Sequence, residues 1–339
     1  MEYYTPKLLI FVKELTNSFC MSVPKILVAA RQAVRKRGLS KHTEKAYLEW
    51  IYRFLIFHHT LSRGELTDKE IGTFLSFQAV SKRAPSSTQN QALHALLFLY
   101  RHVFNQKVAK IRFIHLKSRQ DFPLILTREE TRKILGLLSG EKKLIISLLY
   151  GCGLRLNECL SLRIQDINLE NNILHIRNFR TEENRDLCIP ETLKEALQTR
   201  IETLRYRFMH LSIHAYCGVS LPETVKKTRP DAACLFLWFY LFPTLKPVKP
   251  AGIGKECFHH RSETYVQKAI RKALKEAGIT KNVSCRTFRH SFAIHLLEGG
   301  KDIYHVQKLL GHKNIRNTLV YKHMLNNQSR IPDNPLDSL

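Results

Sequence analysis

Three short runs in this sequence carry residue types that can break and rejoin a phosphodiester through a side chain. Gly151-Cys-Gly-Leu-Arg155-Leu-Asn-Glu158 sets an arginine just after a glycine-rich turn. Arg286-Thr-Phe-Arg289-His-Ser-Phe sets two arginines one helical turn apart, so both leave the same face. Leu310-Gly-His312-Lys-Asn-Ile-Arg-Asn-Thr318-Leu-Val-Tyr321-Lys-His323 closes the series with an imidazole followed by a phenol. Cutting nucleic acid this way needs a nucleophile, cations for the nonbridging phosphate oxygens and a proton donor for the leaving oxygen. Singly, an arginine is usually a surface or ion-pair residue and a tyrosine is usually core; the order and spacing carry the signal.

The elements that must position these residues can be read from periodicity. Thr43-Glu-Lys-Ala-Tyr-Leu-Glu-Trp-Ile-Tyr-Arg-Phe-Leu places Tyr47, Trp50, Ile51, Phe54 and Leu55 on one helical face, with Thr43 as the expected N-cap. A capping box, Thr67-Asp-Lys-Glu70, opens a helix to Ala79, and Ser87–Phe104 reads as another. This part reads as wholly helical. Polar, basic residues then lead to Pro123 and a fresh capping box, Thr127-Arg-Glu-Glu130. Beyond it the types mix: Ile173-Leu-His-Ile-Arg and Asp186-Leu-Cys-Ile-Pro read as short strands, with helices over Lys142–Tyr150, Leu156–Leu162 and Leu193–Met209. Five Pro and Gly residues between 243 and 254 mark an irregular loop; Glu263–Ala277, Phe288–Leu297, Asp302–Leu310 and Asn314–Leu325 read as helices. The predicted organisation is an extension over 1–23, a helical domain over 24–110, a linker over 111–126, an α+β domain over 127–326 and a tail over 327–339.

Length and charge narrow the partner. A chain of 339 residues has room for two domains, each with its own core. Lys and Arg number 54 against 29 Asp and Glu, and the excess of +25 divides almost evenly, +12 in 1–126 and +13 beyond. With 44% apolar residues this is a folded chain, and two basic domains in series suit a polyanion gripped from two sides, with nucleic acid leading. The longest apolar run, Cys234–Phe242, is about half of the roughly 18 residues a membrane span needs, so no membrane attachment is expected. Eight cysteines without a C-x-x-C pair read as reduced, which points to the cytoplasm. His259 and His260 are adjacent, with no Cys or Asp at chelating spacing nearby, so no metal is expected.

In this order the motifs resemble the tyrosine recombinase (phage integrase) family, whose pattern is G-L-R-x-x-E, a lysine on a β-hairpin, H-x-x-R, and L-G-H with a nucleophilic tyrosine nine residues after the histidine. The resemblance runs from about Ser40 to His323. It implies a two-domain fold: an all-α N-terminal core-binding (SAM-like) domain and a mixed α+β catalytic domain, together clamping DNA. It also implies that Tyr321 attacks the scissile phosphate to give a 3′-phosphotyrosyl bond while Arg155, Arg289 and His312 bind its oxygens, with Glu158 structural. No cofactor and no small-molecule substrate are implied, and the active complex would be a homotetramer on two DNA sites, the segment after Met324 docking on a neighbour.

Residues 218–262, with Leu221-Pro-Glu-Thr, Arg229-Pro-Asp-Ala, Leu237-Trp238-Phe-Tyr-Leu-Phe-Pro243 and His259-His260, look like the insertion of one branch, the integron integrases. That resemblance implies gene-cassette exchange between a duplex attI site and a folded single-stranded attC hairpin. Bases swung out of the hairpin would stack on exposed Trp238 and on His259 and His260, each base worth about 1–3 kcal/mol. Thr43 joins these as an expected DNA-contacting position. A Xer-like duplex recombinase and a catalytically silent DNA-binding relative are the alternatives.

Two positions depart from the family pattern. The hairpin lysine falls on Arg180, in Phe179-Arg-Thr-Glu-Glu-Asn184-Arg185, and the H-x-x-R histidine is Arg286. An arginine can still bind phosphate, but it holds its proton too tightly to be a good general acid and offers no base. Reduced activity is therefore expected.

Overall fold

A computed structural model describes residues 23–58, 67–108, 111, 113, 122–177, 184–213, 217–249 and 256–328. The chain divides into two compact units, Met1–Asp121 and Phe122–Leu339.

The first unit is helical among its described residues: α1 (Val23–Lys36), α2 (Lys41–Phe57), α3 (Asp68–Val80) and α4 (Ser86–Leu99), the last running into a wider π-turn over Tyr100–Phe104. The expected apolar stripe of α2 buries Trp50, Ile51, Phe54 and Leu55 against Ile71, Phe74, Leu96 and Leu99. The Thr67–Glu70 box caps α3 as anticipated, the Glu70 carboxylate accepting from the Thr67 backbone N–H at 2.8 Å. The cap of α2 corrects the sequence reading. Ser40 holds the capping position, its hydroxyl accepting from the Thr43 backbone N–H at 3.1 Å, and Thr43 lies inside the first turn. Both residues are competent caps, and the helix takes the earlier one because Lys41 and His42 extend it by nearly a turn.

Among its described residues the second unit packs one face of a three-stranded antiparallel sheet into a helical core, the strands being β1 (Ile167–Asn168), β2 (Ile173–Ile176) and β3 (Arg185–Cys188), in that order. Leu174 faces Leu187 across β2 and β3, turning both into the core, while His175 and Asp186 meet on the outer face at 2.7 Å. Strand β1 escapes periodicity analysis because two residues show no alternation. The helices are α5 (Arg128–Gly136), α6 (Gly140–Gly151), α7 (Leu156–Leu160), α8 (Lys194–Ile213), α9 (Glu223–Thr228), α10 (Glu263–Ala277), α11 (Cys285–Glu298), α12 (Ile303–Leu310) and α13 (Arg316–Gln328). The Thr127–Glu130 box caps α5, and α10 takes its expected bounds. Helix α11 starts three residues earlier than expected, behind Ser284, so Arg286 and Arg289 both lie on it.

Among the described residues two apolar clusters hold this unit. The larger gathers Leu144, Ile145, Leu148 and Leu149 of α6 with Phe288 of α11, Leu174 and Leu187 of the sheet, and Val266 and Ile270 of α10. The smaller joins Ala293 and Ile294 of α11, Val306 and Leu310 of α12, and Tyr321 and Met324 of α13.

From the segment 218–262, Val219, Ala232, Trp238 to Phe242 and Phe258 join the larger core. Phe239, Leu241, Phe242 and Phe258 are fully buried or nearly so, and single β-bridges pair Arg163 with Tyr240, Val219 with Phe258 and Pro243 with His260. Glu141 at the start of α6 pairs with Arg261 at 2.7 Å and also with Arg200 of α8, pinning the end of the segment to two helices. Among the described residues no helix is long and apolar enough to cross a membrane.

Candidate active site

The G-L-R-x-x-E run folds as a tight turn into α7. Gly153 adopts φ +61°, and a Cβ there would lie 2.4 Å from the Phe292 ring, so the position requires glycine for both backbone and space. Arg155 then serves as the residue before α7. Its backbone N–H donates to Glu158 Oε2 at 2.8 Å and its Nη1 to Oε1 at 2.7 Å. The glutamate three residues on is thus the far half of a capping interaction, and it turns the arginine side chain back over the helix start.

The L-G-H run ends α12. Gly311, at φ +59°, caps it in the left-handed conformation, which leaves the last carbonyls without helical partners. Three arginines take them. Arg185 Nε donates to the Leu309 carbonyl at 3.0 Å, Arg289 Nη2 to Leu310 at 2.6 Å and Arg155 Nη2 to Gly311 at 3.0 Å. The negative end of the α12 dipole favours this gathering of positive charge. Arg289 is further held by the Gly153 carbonyl at 2.8 Å, and its side chain is 6% exposed. Arg155 stands at the rim with 46% of its side chain exposed.

Glu158 is the acid that makes this crowding possible. It takes two hydrogen bonds from Arg185, at 3.1 and 2.8 Å, besides those from Arg155, and lies 3.7 Å from Arg289. Burial pushes its carboxyl up, but Arg185 and then Arg155 outweigh that and hold it at about 2. Burial, with Arg155 next, lowers the Arg289 guanidinium to about 10.

Tyr321 is 3% exposed in the smaller core, and its hydroxyl meets His290 Nδ1 at 2.7 Å. Burial raises the phenol above its ordinary 10, opposed by Arg289, Arg286 and Arg155. His312 is half-buried and shares a 2.9 Å hydrogen bond with the hydroxyl of fully buried Thr318. Burial, then Arg289 and Arg155, lower its imidazole to about 4, so it is neutral at pH 7. Arg286 is exposed in the first turn of α11.

Arg155, Arg289, His312, Tyr321 and Arg286 are therefore brought into one electrostatic neighbourhood. Arg180 lies outside the described residues. Arg185 and His290 were not singled out from the sequence. The two-residue period of β3 could have found Arg185, on the face of Leu187, and the i, i+4 spacing could have found His290, one turn beyond Arg286.

The expectation of an exposed Trp238 is corrected. It is 8% exposed within the larger core, with the Arg163 guanidinium 5.1 Å from its ring centroid. Arg163 is itself 3% exposed and donates to the Ser220 carbonyl at 2.8 Å and the Tyr240 hydroxyl at 3.0 Å. A buried guanidinium needs acceptors and an aromatic face, and Trp238 meets part of that need. His259 and His260 are half-buried beside the same group, their rings 4.1 Å apart, His259 Nδ1 bonding Ser220 Oγ at 2.7 Å. Burial lowers His259 to about 4. Thr43 lies in the first unit, at the start of α2.

Residues 125–328 match the phage integrase family, and residues 26–110 match the phage integrase N-terminal SAM-like domain. An integrase/recombinase of Escherichia coli is 34% identical over 316 residues, spanning 93% of this chain and 94% of that protein. Tyrosine recombinase XerA of Thermococcus onnurineus is 28% identical over 290 residues, 84% of this chain and 85% of the relative. Among solved structures, the XerH site-specific recombinase bound to palindromic difH substrate, in a post-cleavage complex, superposes with a TM-score of 0.60 at 18% identity. That match covers 95% of this chain and 91% of the XerH chain.

Proposed function

The chain belongs to the phage integrase family of tyrosine site-specific recombinases, and we propose that it exchanges gene cassettes between a duplex attI site and folded single-stranded attC hairpins. In this reading the Tyr321 hydroxyl attacks the scissile phosphate and holds the strand as a 3′-phosphotyrosyl ester while the partner strand is exchanged. Arg155, Arg289 and His312 bind the nonbridging oxygens. The observation that carries the catalytic part is the convergence of Arg155, Arg185 and Arg289 on three successive carbonyls at the end of α12. Two of the five N–H donors of Arg289 are engaged there and at Gly153, which fixes the plane of the guanidinium toward an incoming phosphate. Preorganised cations of this kind stabilise charge developing in the transition state.

DNA as partner is supported by the net charge of +25 and by solved relatives such as the XerH complex with difH. The attC preference rests on the segment 218–262. With Trp238 buried, the apolar surface that the described residues of that segment offer to an extrahelical base includes Leu235, Leu237 and Leu245, at 40%, 57% and 71% exposure. Homotetramer assembly on two synapsed sites belongs to the same proposal.

A second reading, a Xer-like recombinase of perfect duplex, is favoured by the burial of Trp238, which removes the stacking face expected of it. Incubation with suicide substrates separates the two. A hairpin with extrahelical bases should give an SDS-resistant protein–DNA adduct, absent in Tyr321→Phe, and the same stem made fully paired should give less. Equal trapping of the paired stem would favour the Xer-like reading. Binding without an adduct on either DNA would mark a silent relative.

A further inference from the structure

We propose that His290 is a catalytic residue of this site, the base that takes the proton of Tyr321 as the phenol oxygen attacks phosphorus. The proposal rests on Tyr321 being the nucleophile, as read above. It starts from a contact: His290 Nδ1 lies 2.7 Å from Tyr321 Oη, with the rings 5.7 Å apart and inclined at 51°. That is hydrogen-bond distance to the reacting atom itself.

The neighbouring residues leave this task to His290. Arg286, one turn earlier on α11, carries a guanidinium, which has N–H donors and no acceptor for a proton. Arg289 is a cation engaged with the Gly153 and Leu310 carbonyls. His312, the other imidazole of the site, bonds through Nδ1 to Thr318.

Proton positions follow from the surroundings. The phenol is raised above 10 by burial and stays protonated, so its O–H donates. Burial, then Arg286 and Arg289, lower His290 to about 4, which keeps the ring neutral at pH 7. Nδ1 therefore accepts and Nε2 carries the ring proton. Among the described residues, the charged and titratable groups that face His290 are Arg286 and Arg289 on its own helix, Tyr321 on α13, and His312 before α13. A bound phosphodiester among these arginines offsets their field and makes the ring more basic where the proton is transferred. The phenol oxygen loses nearly all its basicity once it bonds to phosphorus, so even a weak base accepts its proton as that bond forms.

The step balances. The Oη–H bond breaks with its proton moving to Nδ1, the Oη–P bond forms, the P–O5′ bond breaks, and the 5′-oxygen takes a proton from water, leaving a hydroxide that the buffered solvent neutralises. Rejoining runs in reverse, and the imidazolium returns its proton to Oη.

Single-turnover cleavage of the suicide hairpin by the full chain tests this, with DNA affinity and melting temperature as folding controls. His290→Asn keeps an acceptor near Nδ1 but takes no proton. It should bind DNA like the parent and cleave about 10²–10⁴-fold more slowly. His290→Ala should show the same loss and regain rate, saturably, with added imidazole. On a strand with sulfur replacing the bridging 5′-oxygen, the leaving group departs without a proton, and the loss in both variants should persist. Parent-like cleavage by His290→Asn would overturn the proposal, since the histidine would then only orient the phenol. So would a loss that vanishes on the sulfur strand, which would assign His290 to the leaving group. A folded, DNA-binding His290→Ala that imidazole leaves unchanged would do the same. Retention of the adduct by Tyr321→Phe would instead overturn the nucleophile assignment, and the base assignment with it.

Discussion

Arg185 and Glu158 form a two-pronged ion pair, Nη2 to Oε2 at 2.8 Å and Nη1 to Oε1 at 3.1 Å, that ties the edge of the β-hairpin to the start of α7. The same carboxylate restrains Arg155, and it sits 3.7 Å from Arg289. Glu158 thereby offsets the mutual repulsion of three guanidiniums and makes the DNA-free site stable enough to persist. It leaves a net positive cradle, because one acid faces several cations.

This makes Glu158 a pH-dependent support. Its folded-state pKa, about 2, lies below the ordinary 4.5, so its contribution is fully present above 4.5 and is lost as pH falls through about 2. The size is on the order of 3 kcal/mol. Glu158→Gln should cost about 3–5 kcal/mol at pH 7, because two arginines lose their counter-charge. Urea unfolding at several pH values checks both points. The parent should lose stability between pH 4.5 and 2 more steeply than the variant, and parallel curves would refute the assignment.

Gly153→Ala should damage the site through geometry. Left-handed backbone costs a non-glycine residue about 1–2 kcal/mol. The 2.4 Å approach of the new Cβ to Phe292 adds about 1–3 kcal/mol of overpacking. Because the Gly153 carbonyl holds Arg289, strand cleavage should fall by more than DNA affinity. Thermal melting together with single-turnover cleavage measures the two effects, and an unshifted melting temperature would contradict the steric argument.

Trp238→Ala should behave as a core variant. Removing a buried indole costs about 3–5 kcal/mol. It also strips one aromatic face from the buried Arg163 guanidinium. The melting temperature should drop, with equal effects on hairpin and paired stem. A selective loss of hairpin binding at unchanged stability would instead return Trp238 to the DNA-contacting role expected from the sequence.

The two departures from the family pattern predict a gain by reversion. Arg180→Lys, alone and with Arg286→His, should raise the single-turnover cleavage rate while leaving hairpin affinity nearly unchanged. General acid catalysis is typically worth about 10²–10⁴-fold, which bounds the gain. A parent already as fast as the double variant would show that another group, such as Lys142 or Lys143, delivers the proton.

Much of this protein was written in local sequence. The capping boxes at Thr67 and Thr127, the apolar face of α2 and the bounds of α10 follow from nearest-neighbour rules, since a helix satisfies its first N–H groups and its apolar stripe within a few residues. The order of Arg155, Arg289, His312 and Tyr321 was likewise legible, because each is marked by glycines or by helical spacing. Where two competent caps stood three residues apart, at Ser40 and Thr43, local rules did not choose between them. Tertiary packing decided the rest. That Trp238 is core was settled by Arg163, 75 residues away, whose buried charge draws in acceptors and rings from Ser220 to Tyr240. That His290 faces Tyr321 was settled by how α11 and α13 pack, and that Arg185 meets Glu158 by how the sheet meets α7. Contacts between residues distant in the chain depend on the summed packing of whole elements, and no spacing within a single element encodes that sum.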